Sequence, residues 1–390
     1  MTSTEHSARH RRVWGLCRRI SAFLVKIKFN FSAGINDPEG PYLVLSNHVT
    51  DWDPLMVGAS FRKQMYFVAS EHVYRLGFRS RLLRFFFSPI ARQKGGNAAG
   101  TVKTILRTLK DGFNVCLFPE GNRTWDGRTG EFPESTGKLV RASGVSLVTY
   151  RLRGGYFSSP RWAGKSIRRG RMTGNIIGVY TPEQLRTMTV SQINELITRD
   201  LAEDAYAEQA RSPVAYRGKN IAEHIETLLF ACPVCGKLHT VISSGSKVAC
   251  SACGAEAEYL DTGYLRGGFG FTSVSEWVRW QDGIIRQLCE EAGEGTLFSD
   301  DEVEVLDVES GKNSRVVGRG RLKLFRDRIE LPGGISIPGA EIGGMSIRGD
   351  SVLFIGTSEG KNYQLRSGRV LNAFKYIIAC RRLGFIRSFV

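Results

Sequence analysis

A short polar motif in the first third of the chain carries the residue types that proton transfer needs. This motif, NHVTDWDP, begins at Asn47 and places Asp53 five positions after His48. A carboxylate that accepts a hydrogen bond from one imidazole nitrogen fixes the tautomer, so the other nitrogen can take a proton from a hydroxyl group. The pattern predicts His48 as a general base with Asp53 as its orienting partner. A simpler interpretation, which is compatible with the first, is that Asp53 caps a helix that starts with Pro54.

A second motif, FPEGNRT at residues 118–124, has groups suited to a phosphate-bearing ligand. Gly121 lets the backbone approach a ligand closely, and Arg123 offers a planar fork of hydrogen-bond donors. Glu120 could hydrogen-bond a substrate hydroxyl or orient Arg123. The alternative interpretation is a β-turn with a solvent-facing arginine. Between the two motifs lies SPIARQKGG, in which Arg92 follows a short apolar run.

Both motifs directly follow short apolar runs that are typical of buried strands. From about residue 40 to 190, such runs (PYLVLSN, MYFVAS, FNVCLF, VSLVTYRL) alternate with helical stretches such as TVKTILRTLKDG. This alternation favours an α/β architecture in which a largely buried sheet holds the polar loops. We therefore expect an α/β domain with a central sheet flanked by helices over residues 36–225.

The N-terminal segment has the pattern of a basic amphipathic helix. Arginine and lysine occupy much of residues 11–29, and one stripe at helical spacing is apolar: Val13, Leu16, Cys17, Ile20, Phe23, Leu24 and Ile27. Such a helix suits the bilayer interface, where apolar burial and attraction to anionic lipid add. We predict a membrane-surface helix over residues 1–35. A surface helix packed on the following domain is the alternative.

The charge distribution points to an anionic partner for the same part of the chain. The net charge of +16 falls in residues 1–225, whereas residues 226–390 carry equal numbers of each sign. A basic run with interleaved aromatic residues, 151–171, suits lipid headgroups or the phosphates of coenzyme A better than nucleic acid, and a solvated basic loop is the plain alternative. No stretch of the sequence approaches 18–20 uncharged apolar residues, so we expect no transmembrane helix, and we expect no secretory signal either. We therefore predict a cytoplasmic protein that is peripheral on the cytoplasmic face of the membrane.

Two C-x-x-C-G pairs separated by 14 residues predict a metal site of four thiolates: Cys232, Cys235, Cys250 and Cys253. Each pair forms a tight turn that presents two sulfurs, and two such turns complete a tetrahedral zinc site with no open position. We therefore expect a structural zinc ribbon over residues 226–262. His239 is a substitute ligand that the site does not need. Redox dithiols or disulfides are the disfavoured alternative in a cytosolic setting.

The remainder of the chain predicts a helical connector over residues 263–294 and a β-rich domain over 295–390 with a terminal helix near 369–383. The strand order resembles a pleckstrin-homology-like or similar small barrel, although this rests on strand counting alone. A phosphoinositide role would be an analogy from fold only, and the neutral charge of this half argues against it. A dimerisation or regulatory module is equally compatible.

The order N-H-x4-D, I-x-R and F-P-E-G-x-R-[ST] resembles the glycerolipid acyltransferases, especially the 1-acylglycerol-3-phosphate acyltransferases, over residues 13–210. The resemblance implies acyl transfer from acyl-CoA or acyl carrier protein to the hydroxyl of a lysophospholipid, giving phosphatidic acid. It makes His48 the base and Asp53 its partner, with the substrate bound by Arg92, Glu120, Gly121, Arg123 and Thr124. The sequence departs from the family at Thr50, where serine is common, and at Asn122, where threonine is common. The family's fourth, apolar block has only a loose counterpart in VSLVTYRL.

Two other functions remain compatible with these residues. One is an acyltransferase for another acceptor, such as glycerol 3-phosphate, a different lysophospholipid or an aminolipid. The other is a non-catalytic lipid- or nucleic-acid-binding protein in which the ribbon and the basic face act. The intact His48, Asp53 and FPEGNRT weigh against the second.

Overall fold

The computed structural model describes residues 3–70, 89–92, 98–291, 293–308, 314–368 and 371–386. The chain divides into two compact units. The first unit comprises Met1–Ser158 and Arg169–Val214, and the second comprises Ser159–Arg168 and Ala215–Val390. Residues 159–168 lie within the predicted acyltransferase domain, 36–225, but belong to the second unit. The boundaries predicted at residues 35, 225, 262 and 294 stay predictions.

The first unit combines seven strands with eight helices among its described residues. The strands are β1 (Phe31–Ala33), β2 (Tyr42–Ser46), β3 (Met65–Ser70), β4 (Ile90–Arg92), β5 (Asn114–Leu117), β6 (Ser146–Arg153) and β7 (Met172–Tyr180). The helices are α1 (Ser3–Phe29), α2 (Asp53–Ser60), α3 (Ala98–Lys110), α4 (Ser135–Ser143), α5 (Gly155–Ser158), α6 (Pro182–Thr187), α7 (Val190–Leu201) and α8 (Ala205–Arg211).

The seven strands form one mixed sheet in the order β1-β7-β6-β2-β5-β3-β4. Only the β6–β7 pair is antiparallel; the other neighbouring strands are parallel. All five residues of β2 are buried, as expected for a central strand whose apolar run is continuous rather than alternating. The predicted α/β architecture with a central sheet is confirmed.

The central pair of strands sets the position of both polar motifs. β2 and β5 are parallel neighbours, with Leu43 opposite Val115 and Leu45 opposite Leu117. The carboxyl ends of parallel strands meet at one edge of a sheet, which is where α/β proteins commonly place their ligand sites. Residues 47–54 and 118–124 therefore emerge side by side.

Helix α1 presents different faces to the first unit and to solvent. Trp14, Val25 and Phe29 are buried, and the ring of Phe29 lies 5.7 Å from that of Trp52 at the start of α2. The predicted apolar stripe is turned the other way: its exposed large side chains are Leu16, Ile20, Phe23, Leu24 and Ile27. Among the described residues, no helix has the length and apolar character to cross a membrane.

The second unit contains two antiparallel sheets and two α-helices among its described residues, with short 3-10 helices at Arg161–Ala163, Ile225–Thr227 and Gly339–Glu341. The smaller sheet has the order β11-β10-β9-β8, from β8 (Val241–Ser244), β9 (Lys247–Cys250), β10 (Glu256–Tyr259) and β11 (Leu265–Gly267). Helix α9 (Val274–Glu291) follows it, and α10 (Ala373–Arg382) comes after the larger sheet. The prediction of a small cysteine-bearing module followed by a β-rich region with a terminal helix is confirmed at this level.

The larger sheet of the second unit has seven strands in the order β15-β14-β13-β12-β18-β17-β16. They are β12 (Phe298–Val308), β13 (Ser314–Leu324), β14 (Arg328–Leu331), β15 (Ile335–Pro338), β16 (Ile342–Arg348), β17 (Val352–Thr357) and β18 (Asn362–Ser367). Every pairing is antiparallel. Its likeness to a pleckstrin-homology barrel stays a prediction.

Two arginines of the basic run are buried in the second unit. Arg161 donates to the carbonyl oxygens of Ile347 (2.6 Å) and Gly349 (3.1 Å). Arg168 is only 1% exposed and lies over the rings of Trp162 and Tyr259. These arginines act inside the fold, so the interpretation of residues 151–171 as a lipid or coenzyme surface does not hold for them.

Candidate active site and metal centre

The loop after β2 joins His48 to a fully buried carboxylate. Nδ1 of His48 lies 2.8 Å from Oδ2 of Asp53, which is 0% exposed. An ionised carboxylate is only an acceptor, so Nδ1 of His48 donates and the neutral ring carries its lone pair on Nε2. The His48 side chain is 20% exposed, which leaves it open to a reacting group. This is the arrangement that the sequence predicted for a general base and its partner.

Further hydrogen bonds to Asp53 fix the loop that carries His48. The backbone N–H of Val49 donates to Oδ2 at 2.6 Å, and the N–H of Thr50 lies 3.0 Å from both carboxylate oxygens. The hydroxyl of Thr50 donates to Oδ1 at 2.7 Å. Trp52 is the N-cap residue of α2, and Asp53 is its first residue. Because the carboxylate is used by the loop and by His48, the simpler interpretation of Asp53 as a helix cap is wrong.

The ring of His48 is also held from the second motif. Phe118, the first residue after β5, stacks on the imidazole with ring centroids 4.7 Å apart. On the opposite side of the loop, the side chain of Asn47 bonds both the N–H and the carbonyl of Leu152, on β6. Groups at the end of β5 and in β6, the two neighbours of β2, therefore restrain His48 and the residue before it.

Glu120 connects the two motifs through backbone groups. Its Oε1 accepts the N–H of His48 at 2.7 Å, and its Oε2 accepts the N–H of Gly130 at 2.6 Å. The pKa of Glu120 is raised to about 8, chiefly by burial and in small part by the charge of Asp53, while the two N–H groups act to lower it. Both oxygens are engaged within the protein, so the geometry favours a positioning role for Glu120.

Arg123 and Thr124 also bind the loop that carries His48. Nε of Arg123 donates to the carbonyl of Val49 at 3.3 Å, and its Nη1 lies 3.0 Å from Oδ2 of Asp51. The N–H of Thr124 donates to the carbonyl of His48 at 3.0 Å. Arg123 is 8% exposed, so a ligand would meet only the edge of its guanidinium.

The structure thus brings together most of the residues that the sequence assigned to the site. Gly121 adopts a φ of 70°, the left-handed conformation that glycine accepts without strain, at the turn of the second motif. The backbone of Arg92 lies in β4, but its side chain is outside the described residues, so its assignment stays a prediction. Sequence reasoning gave no role to Asn47, Asp51 or Phe118, although Asn47 and Phe118 begin the two motifs and Asp51 lies inside the first.

The four predicted metal ligands of the second unit also converge. The sulfurs of Cys232, Cys235, Cys250 and Cys253 all lie within 4.8 Å of one another. Two of the separations are 3.7 Å (Cys232–Cys253) and 3.8 Å (Cys235–Cys250). A tetrahedral ion with metal–sulfur bonds of about 2.3 Å requires sulfurs about 3.8 Å apart, so the cluster has the size of a zinc site.

The turns around the cysteines suit thiolate ligands as well. Gly236 and Gly254 follow each C-x-x-C with φ of 71° and 75°, which lets the chain fold back beneath the sulfurs. Burial raises the pKa of the Cys232 thiol, and backbone N–H groups of the same turn oppose this effect; N–H groups of the second turn likewise point at the sulfur of Cys250.

His239 is placed outside this cluster of sulfurs. Its Nε2 lies 2.9 Å from Nζ of Lys375, and its Nδ1 lies 3.3 Å from Oδ1 of Asp300. Lys375 itself is fully buried and pairs with Asp300 at 2.6 Å. His239 therefore belongs to a polar network with β12 and α10, and the metal-ligand group contains the four cysteines alone among the described residues.

Comparison with known proteins agrees with the geometry of the first unit. Residues 25–153 match the family model described as Acyltransferase. The 1-acyl-sn-glycerol-3-phosphate acyltransferase of Borreliella burgdorferi is 26% identical over 139 residues, or 35% of this chain and 55% of the relative. The chain thus spans about half the length of that curated relative. It contains an acyltransferase-family domain, which confirms the resemblance predicted from the sequence.

Solved structures give more distant likenesses. The crystal structure of the 1-acyl-sn-glycerophosphate acyltransferase of Thermotoga maritima aligns at 15% identity and a TM-score of 0.43, covering 54% of this chain and 84% of that one. The C-terminal domain of an unknown protein from Leishmania infantum aligns at 17% identity and a TM-score of 0.17, covering 26% of this chain and 96% of that one.

We expect the buried carboxyl of Glu120 to make stability depend on pH. Its pKa is raised in the folded protein to about 8, so between about pH 4.5 and 8 the folded state binds a proton that the unfolded state releases. This contribution is complete below pH 4.5 and is lost as the pH rises through 8, with a slope of at most ~1.4 kcal/mol per pH unit.

Urea unfolding at pH 5, 6.5 and 8 measures this effect as the difference between the wild type and Glu120→Gln. The wild type should lose stability relative to the variant as the pH rises. Glu195→Gln changes an exposed carboxylate on α7 and serves as the control. Parallel pH curves for the wild type and Glu120→Gln would show that Glu120 ionises normally.

Proposed function

We propose that the chain is an O-acyltransferase that moves a fatty acyl group from a thioester to the free hydroxyl of 1-acylglycerol 3-phosphate, giving phosphatidic acid. The observation that carries this proposal is the 2.8 Å contact between His48 and the buried Asp53, within the segment that matches the Acyltransferase family. The name of the Borreliella burgdorferi relative supports the choice of acceptor. The donor is acyl-CoA or acyl carrier protein, which share the reacting thioester.

The reaction needs one base and no covalent enzyme nucleophile, because a thioester is already activated. Nε2 of His48 accepts the proton of the acceptor hydroxyl while the hydroxyl oxygen attacks the carbonyl carbon. Asp53 stabilises the imidazolium that forms, since its carboxylate already accepts a hydrogen bond from the Nδ1–H group of His48. Collapse of the tetrahedral intermediate forms the ester, breaks the carbon–sulfur bond and returns the proton from His48 to the departing sulfur.

The arrangement of the second motif supports a phosphate-bearing acceptor. Arg123 is the basic residue nearest the loop of His48 in the described contacts, and a guanidinium edge can bind a phosphate oxygen. Gly121 has no side chain, so a ligand can approach the backbone at this position. Glu120 and Thr124 contribute indirectly, because they hold the backbone of His48 rather than offering free groups to the substrate.

Replacing His48 by alanine should abolish most acyl transfer while the fold persists. General-base catalysis contributes about 10²–10⁴-fold, so a loss of this order is expected in kcat. The assay is transfer from a labelled acyl thioester to lysophosphatidic acid in mixed micelles. His224→Asn is the matched control, because His224 is exposed in the second unit and asparagine tolerates its φ of 70°.

Product formed equally by the wild type and His48→Ala would refute the proposed mechanism. If neither protein acylates lysophosphatidic acid, glycerol 3-phosphate and other lysophospholipids are the next acceptors to test. Absence of transfer to all of them would favour the non-catalytic binding protein.

We further propose that α1 binds the surface of an anionic membrane, with the protein peripheral on the cytoplasmic face. Its outer stripe leaves Leu16 62% and Phe23 66% exposed, which water does not favour. Arg12, Arg19 and Lys26 lie along one side of this stripe, where they could meet lipid phosphates. The buried face packs on the first unit, so the helix could dock without leaving the fold.

The double substitution Phe23→Ser/Ile27→Ser should weaken binding to anionic vesicles by about tenfold or more, because it removes two large apolar groups from the bilayer interface. Co-sedimentation with vesicles of phosphatidylglycerol and phosphatidylcholine measures this. Ile242→Ser removes an exposed apolar group from β8 of the second unit and is the control. Equal sedimentation of all three proteins would argue against α1 as the membrane contact. Point substitutions are preferable to deletion of α1, because deletion would remove the buried side chains of Trp14 and Val25 and expose the surface on which they pack.

We also propose that the four clustered cysteines hold one structural zinc ion. Four thiolates fill a tetrahedral site, so the ion would stabilise the small module and take no part in acyl transfer. Elemental analysis should find about one zinc per chain in the wild type and much less in Cys235→Ser/Cys253→Ser. Cys17→Ser, on α1, is the control and should keep its zinc. Purified wild-type protein without tightly bound metal would contradict the proposal.

A further inference from the structure

The ion pair between Arg123 and Asp51 is asymmetric in its exposure. The Arg123 side chain is 8% exposed, whereas that of Asp51 is 78% exposed, and their nearest atoms are 3.0 Å apart. An exposed carboxylate therefore covers part of a buried guanidinium at the rim of the candidate site. A carboxylate is also the side-chain group closest in charge to a phosphate.

The backbone at Asp51 is fixed although its side chain is not enclosed. The preceding residue, Thr50, is fully buried and bonds Asp53 through both its N–H and its hydroxyl. The following residue, Trp52, donates its N–H to the Thr50 hydroxyl at 3.1 Å, and its ring contacts Phe29 on α1. The side chain of Asp51 can thus rotate away from Arg123 without moving the catalytic loop.

We propose that the carboxylate of Asp51 holds the Arg123 guanidinium until the phosphate of the acceptor displaces it, so that Asp51 sets the affinity of the site for phosphate-bearing acceptors. This inference rests on the proposed function, since it assigns the acceptor phosphate to Arg123. Asp51 is mostly exposed, so water screens its half of the pair and a phosphate dianion can replace the carboxylate at small cost. An acceptor without phosphate gains nothing from displacing it.

The decisive variant is Asp51→Asn, which keeps the shape of the side chain and removes its charge. Removal of the carboxylate that competes with the phosphate for Arg123 should lower KM for lysophosphatidic acid about three- to fivefold. KM for 1-acylglycerol, which lacks the phosphate, should stay the same. Asp37→Asn makes the same charge change at an exposed pair with Arg62 and Lys63 and should alter neither KM.

Kinetics separate this role from a purely structural one. A loss of kcat with both acceptors would mean that Asp51 shapes the loop of His48, and the inference would be overturned. An unchanged or raised KM for lysophosphatidic acid would overturn it as well. A lower KM in Asp37→Asn too would assign the effect to net charge alone.

A binding measurement tests the inference without acyl transfer. Thermal unfolding is followed while glycerol 3-phosphate is titrated into the wild type, Asp51→Asn and Asp37→Asn. The Asp51→Asn protein should reach its half-maximal shift at about three- to fivefold lower concentration than the other two. Equal half-maximal concentrations for the three proteins would refute the displacement of Asp51 by phosphate. If no protein transfers an acyl group but Asp51→Asn still binds more tightly, only the proposed reaction fails.

Discussion

The buried carboxylate of Asp53 is the constraint on which the candidate site depends. Withdrawing a charge from water is costly unless hydrogen bonds replace the lost solvation. Here the donors are the imidazole of His48, the N–H groups of Val49 and Thr50, and the Thr50 hydroxyl. Each of these bonds also fixes part of a loop that has no regular structure of its own. The same interactions that satisfy the charge therefore orient the imidazole of His48.

The two motifs hold each other as much as they face a substrate. Glu120 accepts the His48 N–H, and Thr124 donates to the His48 carbonyl, so the second motif binds the first by its backbone. Backbone contacts of this kind do not depend on the side chains that react. A buried glutamate or arginine next to a catalytic residue can thus be essential through geometry, and its loss need not report a contact with substrate.

Buried polar anchors add to the apolar core of the second unit. Four cysteines converge, Lys375 pairs with Asp300, and Arg168 lies over two aromatic rings. Arg168 comes from residues 159–168, which belong to the second unit although they lie in the sequence between the two segments of the first unit. A fragment that starts at residue 215 would lack this segment.

The sequence alone determined the features that depend on residue type and local spacing. Continuous apolar runs followed by His48 and by Glu120 identified buried strands and the loops after them, and paired C-x-x-C-G turns identified four cysteines whose sulfurs cluster. Only the tertiary structure decided what depends on long-range pairing. It placed β5 beside β2, turned Glu120 toward backbone groups, set Asp51 on Arg123, and moved Arg161 and Arg168 into another unit. Spacing along a chain reports which side chains can turn to the same side of one element; it carries no record of which distant backbone groups will need a partner once water is excluded.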